Sequence, residues 1–158
     1  MQEILLLLML LIANGSPLVA RALFGDHLAR PIDGGLRFAE QPLFGPSKTW
    51  RGLLTAVLVA TLSAPILGFD WHIGAIVGAL AMLGDLLSSL VKRRLGLRSG
   101  ARAIGLDHLP ESLLPLLACM PLLGLNLAHV LGISLTFMLV DLLLSRALYA
   151  IGIGDHPH

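Results

Sequence analysis

Long apolar stretches with most of the charges between them restrict this chain to a narrow set of folds. Runs with few charged residues cover positions 4–23, 52–69 and 72–91, and a longer run covers 112–151. A helix needs roughly 20 mainly apolar residues to cross a bilayer, so each of the first three runs suits one span and the last suits two. Only 13% of the residues are charged, against about a quarter in a soluble domain. We therefore predict an all-α integral membrane protein.

Five transmembrane helices are predicted, at about residues 4–23, 52–69, 72–91, 112–125 and 128–150, in a single membrane domain over residues 1–158. The last run is divided near Gly124, Leu125 and Asn126. Long loops join the helices at about 24–51 and 92–111. Glu3 has the wrong charge for the basic start of a secretory signal, so the first helix is interpreted as retained.

The positive charges predict how the chain is oriented. The eleven Lys and Arg residues are Arg21, Arg30, Arg37, Lys48, Arg51, Lys92, Arg93, Arg94, Arg98, Arg102 and Arg146. All but the last lie in or beside the two long loops. Cytoplasmic loops carry an excess of Lys and Arg. We therefore predict that both long loops and the C-terminus are cytoplasmic, that the N-terminus is outside, and that any active site in this inner-membrane protein faces the cytoplasm.

An aspartate lies near the end of the third predicted helix. Asp85, Ser89 and Lys92 are spaced i, i+4 and i+7, so they share one helix face, with Arg93 close beside them. A charge at the bilayer centre costs about 2.5–3.5 kcal/mol on insertion scales, so an ionisable residue inside a span is functional by default. The alternative interpretation is a salt bridge from Asp85 to Lys92.

Two more carboxylates, Asp107 and Glu111, come just before the fourth predicted helix, at the same membrane edge as Asp85. Carboxylates and hydroxyls are ligands that Mg²⁺ prefers, and it usually completes its shell with waters and substrate phosphates. Nearby Lys and Arg side chains bind phosphates. The combination predicts phosphoryl or nucleotidyl transfer at a lipid headgroup. The alternative for these two acids is helix capping, because acids favour a helix N-terminus.

The segment GPSKTWRG at positions 45–52 has only a superficial likeness to a P-loop, since Ser47 stands where that motif requires glycine and no strand precedes it. A Gly-Pro turn that presents Lys48, Thr49 and Arg51 at the start of a helix predicts an anion site. The alternative is an interfacial anchor, with Trp50 in the aromatic belt and the lysine reaching to water.

Together these segments resemble the CDP-archaeol synthase family, which belongs with the CDP-diacylglycerol synthases among the membrane CTP:phosphatidate cytidylyltransferases. The resemblance rests on ANGSP at 13–17, PIDGG at 31–35, GPSKTWRG, and GDLLSSLVKRRLG at 84–96, in that order along nearly the whole chain. Asp85, Ser89, Lys92 and Arg93 match the family's GDLxxSxxKR element residue by residue. Asp107 matches the first acid of its downstream element.

The resemblance implies that CTP and a phosphatidate-type lipid, either archaetidate-like or diacyl phosphatidic acid, give a CDP-lipid and pyrophosphate. It implies Asp85, Lys92 and Asp107 as catalytic residues, with Mg²⁺ held by Asp85, Asp107 and Glu111. The implied substrate-binding residues are Asn14, Lys48, Thr49, Arg51, Ser89 and Arg93. The family commonly has a second aspartate where Pro110 stands, so either Glu111 supplies that carboxylate or metal binding differs.

Two other functions are compatible with the sequence. A small transporter or proton relay would use Asp85 and Asp141 as intramembrane carriers. A non-catalytic membrane protein would use the basic loops to hold anionic lipid. The GxxxG spacing of Gly74 and Gly78 predicts close helix packing, either in a homodimer or within the chain. No nucleic-acid partner is expected.

Overall fold

The computed structural model describes residues 1–38, 40–98, 103 and 105–150. Its helices are α1 Gln2–Phe24, α2 Trp50–Ile66, α3 Trp71–Arg94, α4 His108–Leu123 and α5 Leu127–Ala150. The predicted all-helical architecture with five helices is confirmed. A short antiparallel hairpin in the first long loop, β1 Arg37–Phe38 and β2 Gln41–Pro42, was not predicted. Arg102 and the predicted cytoplasmic C-terminal residues 151–158 lie outside the described residues.

Three of the helices meet the length and apolarity of a membrane span: α1, α3 and, within α5, Leu127–Ala147. The helices α2 and α4 are also apolar but shorter, with 17 and 16 residues. Helix α3 packs against α1, α2 and α4, while α5 packs against α4 and α1. The orientation of this bundle relative to the cytoplasm stays a prediction.

The main apolar core fills one end of the bundle. Its fully buried members come from the early turns of α1, α3 and α5 and from the later turns of α2 and α4: Leu6, Met9, Leu10, Ala64, Ile73, Val77, Leu116, Cys119, Val130, Ile133 and Phe137. Because the helices alternate in direction, the opposite end of the bundle holds the N-termini of α2 and α4. Buried polar residues gather at that end, among them Ser89, Lys92 and Arg93.

Small residues bring α2 and α3 into close contact. A Cβ atom on Gly74 would lie 2.3 Å from the carbonyl oxygen of Ala60, and one on Gly78 would lie 2.8 Å from Cα of Val57. In a bilayer the hydrophobic effect does not drive helices together, so membrane helices associate through the van der Waals contacts of such close packing. The GxxxG spacing therefore serves a contact within the chain. A homodimer stays a prediction.

The hairpin is held against the end of α3 by Arg94. This guanidinium donates hydrogen bonds to the carbonyl oxygens of Phe38, at 2.6 Å, and Pro42, at 3.1 Å. It also lies 5.1 Å from the centre of the Phe38 ring, within the range of a cation–π interaction. The long loop after α1 is thereby fixed at the polar end of the bundle.

Candidate active site

A polar cavity of about 210 Å³ lies where the N-termini of α2 and α4 meet the C-terminal half of α3, with α5 on one side. Its lining residues are Phe44, Ser47, Lys48, Asp85, Ser89, Lys92, Arg93, Asp107, His108, Glu111 and Asp141. Most of the predicted site residues are in this set; Asn14, Thr49 and Arg51 are not. Residues from three helices, α3, α4 and α5, and from the segments just before α2 and α4 thus converge on one cavity.

Two ion pairs cross the cavity. Lys48 Nζ lies 2.5 Å from Oδ1 and 2.6 Å from Oδ2 of Asp85, which joins the loop before α2 to α3. Lys92 Nζ lies 2.6 Å from Oδ1 of Asp107, which joins α3 to the start of α4. The alternative interpretation placed a salt bridge between Asp85 and Lys92 along one helix. In the structure each of them forms an ion pair with a residue of another segment.

Glu111 brings a third carboxyl group to the cavity, in hydrogen-bonding contact with Asp85. Two ionised carboxyls in contact repel each other unless a cation or a proton lies between them. The Lys48 ammonium supplies positive charge to this pair. Glu111 follows directly after the position where the resembled family has its second aspartate, so the departure from the pattern still leaves a carboxylate in the cavity.

The approach of Glu111 to α3 depends on Gly84. A Cβ atom at position 84 would lie 2.3 Å from the carbonyl oxygen of Pro110 and 2.6 Å from the backbone nitrogen of Glu111. Real Cβ atoms do not come this close to backbone atoms, because the atoms would overlap and repel each other. The first turn of α4 therefore fits against α3 only because residue 84 has no side chain.

Asp107 precedes the first residue of α4, but its side chain makes no capping hydrogen bond to the helix. Its Oδ2 accepts a hydrogen bond of 2.8 Å from the backbone nitrogen of Ala103 instead. The preceding turn and Lys92 therefore orient this carboxylate toward the cavity, and hydrogen-bonded capping does not explain it.

The segment that carries Lys48 is shaped by Asp33, a buried carboxylate that was not predicted as a site residue. Its Oδ1 accepts a hydrogen bond from the backbone nitrogen of Gly35, and its Oδ2 accepts from those of Phe44 and Gly45, all at 3.0 Å. Burial would raise the pKa of Asp33, but the donors at Gly45, Phe44 and Gly35 outweigh it, so the pKa is lowered. The PIDGG segment at positions 31–35 was the feature of the sequence that could have indicated Asp33.

Backbone hydrogen bonds complete the support of Lys48. The nitrogen of Ile32 donates to the carbonyl oxygen of Lys48 at 2.8 Å, and the nitrogen of Trp50 donates to that of Arg30 at 3.0 Å. These two bonds form an antiparallel bridge between the chain at Pro31 and at Thr49. The backbone at Lys48 is therefore held in place by hydrogen bonds on both sides of this residue.

Thr49 and Arg51, both predicted as substrate-binding, make structural contacts. The Thr49 hydroxyl caps α2 by accepting a hydrogen bond of 3.2 Å from the backbone nitrogen of Gly52. Arg51 donates to the carbonyl oxygens of Gly25, at 2.7 Å, and His27, at 2.6 Å. These contacts hold the start of α2 and the end of α1 together, and a role in binding substrate stays a prediction.

Asn14 lies inside α1, where its Nδ2 donates to the carbonyl oxygen of Leu10 at 3.0 Å. In the next turn the hydroxyl of Ser16 donates to the carbonyl oxygen of Ala13 at 3.0 Å. Pro17 has no N–H for that carbonyl, so the serine replaces the missing helix bond. The ANGSP segment is thus explained in part by helix continuity, and the predicted contact of Asn14 with substrate stays a prediction.

His108 and Asp141 line the cavity without having been predicted as site residues. His108 Nε2 lies 3.1 Å from Oδ2 of Asp141, which joins α4 to α5. Asp141 is thus a hydrogen-bond partner between two helices. The sequence could have indicated His108, because this residue directly follows Asp107 and lies one helical turn before Glu111.

Several buried polar atoms of the lining have no hydrogen-bond partner among the described residues: Ser89 Oγ, Arg93 Nε and His108 Nδ1. Buried polar groups almost always have a partner, so these atoms indicate a polar ligand. The donor set of three carboxylates and a serine hydroxyl suits Mg²⁺, which prefers oxygen ligands. Within the described part of the chain, no three His, Cys, Asp or Glu side chains already form a metal-binding group. A cation would have to displace Lys48 from Asp85.

Comparison with known proteins gives concordant matches. A family model described as CDP-archaeol synthase, CarS-like, matches residues 70–158. The CDP-archaeol synthase of Hyperthermus butylicus is 38% identical in an alignment of 116 residues that covers 69% of this chain and 66% of that protein. The CDP-archaeol synthase of Sulfurisphaera tokodaii is 37% identical in an alignment of 154 residues that covers 93% of this chain and 89% of that protein. The chain thus spans slightly less than two thirds of the first relative and most of the second.

A solved structure of an intramembrane enzyme for archaeal membrane lipids biosynthesis has the same fold. It superposes with a TM-score of 0.72 at 29% sequence identity, over 88% of this chain and 89% of that one. The apolar helices and this likeness together establish an integral membrane protein.

Proposed function

The chain belongs to the CDP-archaeol synthase family, and from this premise we propose that it joins CTP to a phosphatidate-type lipid, giving a CDP-lipid and pyrophosphate. Membership of the family makes it an enzyme of the cytidylyltransferase class. One observation supports the reaction most strongly. Two lysine–carboxylate pairs and a third carboxyl group surround a single cavity at the end of an apolar bundle.

The charges of the two substrates explain this set of residues. In the proposed reaction the lipid phosphate attacks the α-phosphorus of CTP, and both reactants are polyanions that repel each other. Mg²⁺, when bound, would neutralise charge on the triphosphate and orient the leaving pyrophosphate. Asp85, Asp107 and Glu111 are the residues that would hold it.

The chain's own cations complete the proposed mechanism. Lys92 and Arg93 bind phosphate oxygens, and Lys48 does so once it leaves Asp85. Such preorganised charges in a largely buried site stabilise charge that develops in the transition state. The lipid phosphate is already ionised near neutral pH, so neither a general base nor a covalent enzyme intermediate is required.

A proton relay or transporter receives less support. Such a protein needs polar groups that continue toward the far side of the bundle. Beyond the cavity, the described core consists of apolar side chains, including Leu10, Leu116 and Phe137. The ionisable residues that line the cavity therefore form a site at one end of the bundle, as a reaction at a lipid headgroup requires.

The lipid substrate and the sidedness are further parts of the proposal. The relatives are named for archaeol, which favours an archaetidate-like ether lipid, with diacyl phosphatidic acid as the second candidate. The cluster of basic residues near the cavity favours the cytoplasmic face. CTP and Mg²⁺ are available there.

The test is synthesis of CDP-lipid by the purified protein in nanodiscs, with labelled CTP, Mg²⁺ and either archaetidate or diacyl phosphatidic acid. We expect Asp85→Asn to lower turnover by at least about 100-fold, the order of effect seen when one electrostatic group at a reacting centre is lost. Asp70→Asn, at the exposed opposite end of α3, is the matched control and should keep full activity. Wild-type turnover in the Asp85 variant, or no CDP-lipid from any phosphatidate, would refute the proposal.

A further inference from the structure

The pair formed by His108 and Asp141 has features that a simple contact between helices does not require. His108 is the first residue of α4 and is only 6% exposed. Its ring packs against Phe137, with the ring centroids 6.5 Å apart. Its Nε2 lies 3.1 Å from Oδ2 of Asp141 on α5. The position and orientation of the imidazole are therefore well determined.

The contact with Asp141 assigns different roles to the two ring nitrogens. An ionised carboxylate only accepts hydrogen bonds, so Nε2 must carry the hydrogen that it donates to Asp141. In the neutral imidazole the other nitrogen, Nδ1, is then an acceptor. This atom is buried and has no partner among the described residues.

An acceptor without a partner, in a side chain this well buried, indicates a missing donor. A contact that only joined α4 to α5 would need Nε2 alone. Both residues of the pair line the same cavity as Asp85 and Glu111, and Glu111 lies one helical turn from His108 on the same face of α4. The cavity that would receive the nucleotide therefore also contains this acceptor.

We propose that His108 is a binding residue for the metal–nucleotide complex and accepts a hydrogen bond through Nδ1, while Asp141 is a positioning residue that holds the ring. This inference rests on the proposed function. Ionised phosphates only accept hydrogen bonds, so they are not the partner of Nδ1 in the neutral imidazole. The partner is an N–H or O–H group. Two sources have this chemistry: water bound to Mg²⁺, which usually keeps several waters, and the amino or hydroxyl groups of the nucleotide.

Two substitutions at His108 test the contributions of the two ring nitrogens separately. The side-chain amide of Asn lies near the position of Nδ1, whereas that of Gln reaches the position of Nε2. We expect His108→Gln to keep the contact with Asp141 but to weaken Mg–CTP binding about tenfold, the usual effect of leaving a buried group unpaired. His108→Asn should bind Mg–CTP within about threefold of wild type, because it restores an acceptor at the Nδ1 position.

A third variant tests the positioning role. The amide of Asp141→Asn can either accept from Nε2 or donate to it, so this variant no longer fixes Nδ1 as the acceptor. We expect a loss of Mg–CTP affinity similar to that of His108→Gln, with an unchanged far-UV circular dichroism spectrum. Ser134→Ala, a buried position on α5 outside the cavity lining, is the matched control and should bind as wild type does.

Titration calorimetry with Mg–CTP and Mg–UTP, and Mn²⁺ binding by electron paramagnetic resonance without nucleotide, distinguish the two donors. Weaker Mn²⁺ binding in His108→Gln identifies metal-bound water. A loss confined to CTP identifies the amino group of the base, because UTP carries a carbonyl there. An equal loss with both nucleotides, together with unchanged Mn²⁺ binding, identifies a hydroxyl.

Two results would overturn the inference: unchanged binding in both His108→Gln and Asp141→Asn, or weaker binding in His108→Asn than in His108→Gln. The second result would mean that only the contact between α4 and α5 matters. If wild-type protein bound no Mg–CTP at all, the proposed function would fail and not this inference alone.

Discussion

The N-terminal half of α3 is held by contact between small residues, whereas its C-terminal half is held by charged side chains. In the first half, Gly74 and Gly78 lie directly against the backbone of α2. In the second half, Asp85 and Lys92 form ion pairs with residues of other segments. Both halves belong to one continuous helix, yet different physical terms bring their neighbours close.

The difference shows how a membrane helix can combine a rigid part with an exchangeable one. A closely packed contact between two helices cannot be exchanged for another, because a change in either surface leaves a void or a clash. A buried ion pair contributes little net stability, since the desolvation of both charges offsets their attraction. In the proposed reaction the charged half would exchange its partners for Mg²⁺ and phosphates, while the small-residue half keeps the helices in place. Gly84 connects the two, because its missing side chain admits Glu111 to the charged half.

The largest effect is expected from Gly84→Ala. The new methyl group would lie 2.3 Å from the carbonyl oxygen of Pro110, so the start of α4 must move away and carry Glu111 from Asp85. We expect CDP-lipid synthesis to fall by at least about 100-fold, as when an electrostatic group at the reacting centre is lost. Turnover in nanodiscs measures this effect.

Gly132→Ala is the matched control for this change. A Cβ atom there meets nothing within 4 Å, so the variant reports the effect of helix propensity alone, about 1 kcal/mol in favour of Ala. Normal turnover in Gly84→Ala would show that the contact between α3 and α4 does not position the carboxylates.

Gly78→Ala is the corresponding change in the other half of α3. Its methyl group would lie 2.8 Å from Cα of Val57 and 2.9 Å from the carbonyl oxygen of Ala56. We expect the free energy of unfolding to fall by about 1–3 kcal/mol, the usual cost of overpacking. Turnover per folded molecule should stay unchanged. Unfolding in mixed detergent micelles, followed by circular dichroism, measures the loss, and reduced turnover at full stability would remove the distinction between the halves.

Asp33→Asn should weaken the support of Lys48 and lower turnover about tenfold, because the amide nitrogen cannot accept from the backbone donors. Acid should act similarly on the wild type. The pKa of Asp33 is lowered from its ordinary value of 3.8, so its stabilisation is complete above that value. The stabilisation is lost as the pH falls through the lower, folded pKa.

Amide hydrogen exchange at Gly35, Phe44 and Gly45 reports this loss. We expect protection of these three amides to persist at pH 5 and to decrease below about pH 4, after correction for the intrinsic exchange rate. Protection that already disappeared near neutral pH would contradict the role of the Asp33 carboxylate.

The smallest effect is expected from Thr49→Val. Loss of the cap of α2 should cost about 1 kcal/mol of unfolding free energy, while the KM for CTP stays unchanged, and Thr49→Ser should restore the stability. A higher KM at unchanged stability would instead support the predicted contact of Thr49 with substrate.

The helical spacing predicted correctly that Asp85, Ser89 and Lys92 share a face toward one cavity. The spacing could not predict that the cation facing Asp85 is Lys48, 37 residues earlier in the chain. That pairing depends on the turn built around Asp33, whose three backbone donors come from both sides of the hairpin. Nor could the spacing predict that Thr49 and Arg51, which look like anion ligands beside Lys48, make contacts with backbone atoms; their role in binding substrate stays a prediction.

Helix number, membrane character and the face that carries Asp85 follow from the sequence, because hydropathy and the 3.6-residue period are local properties of the chain. Which cation lies against which carboxylate, how closely Glu111 approaches Asp85, and the pairing of His108 with Asp141 across 33 residues follow from the folded arrangement alone. These contacts join segments that are distant in sequence, and their distances depend on how closely the helix backbones pack. A glycine in the right place permits that packing, but its effect is evident only once the neighbouring helix is in position.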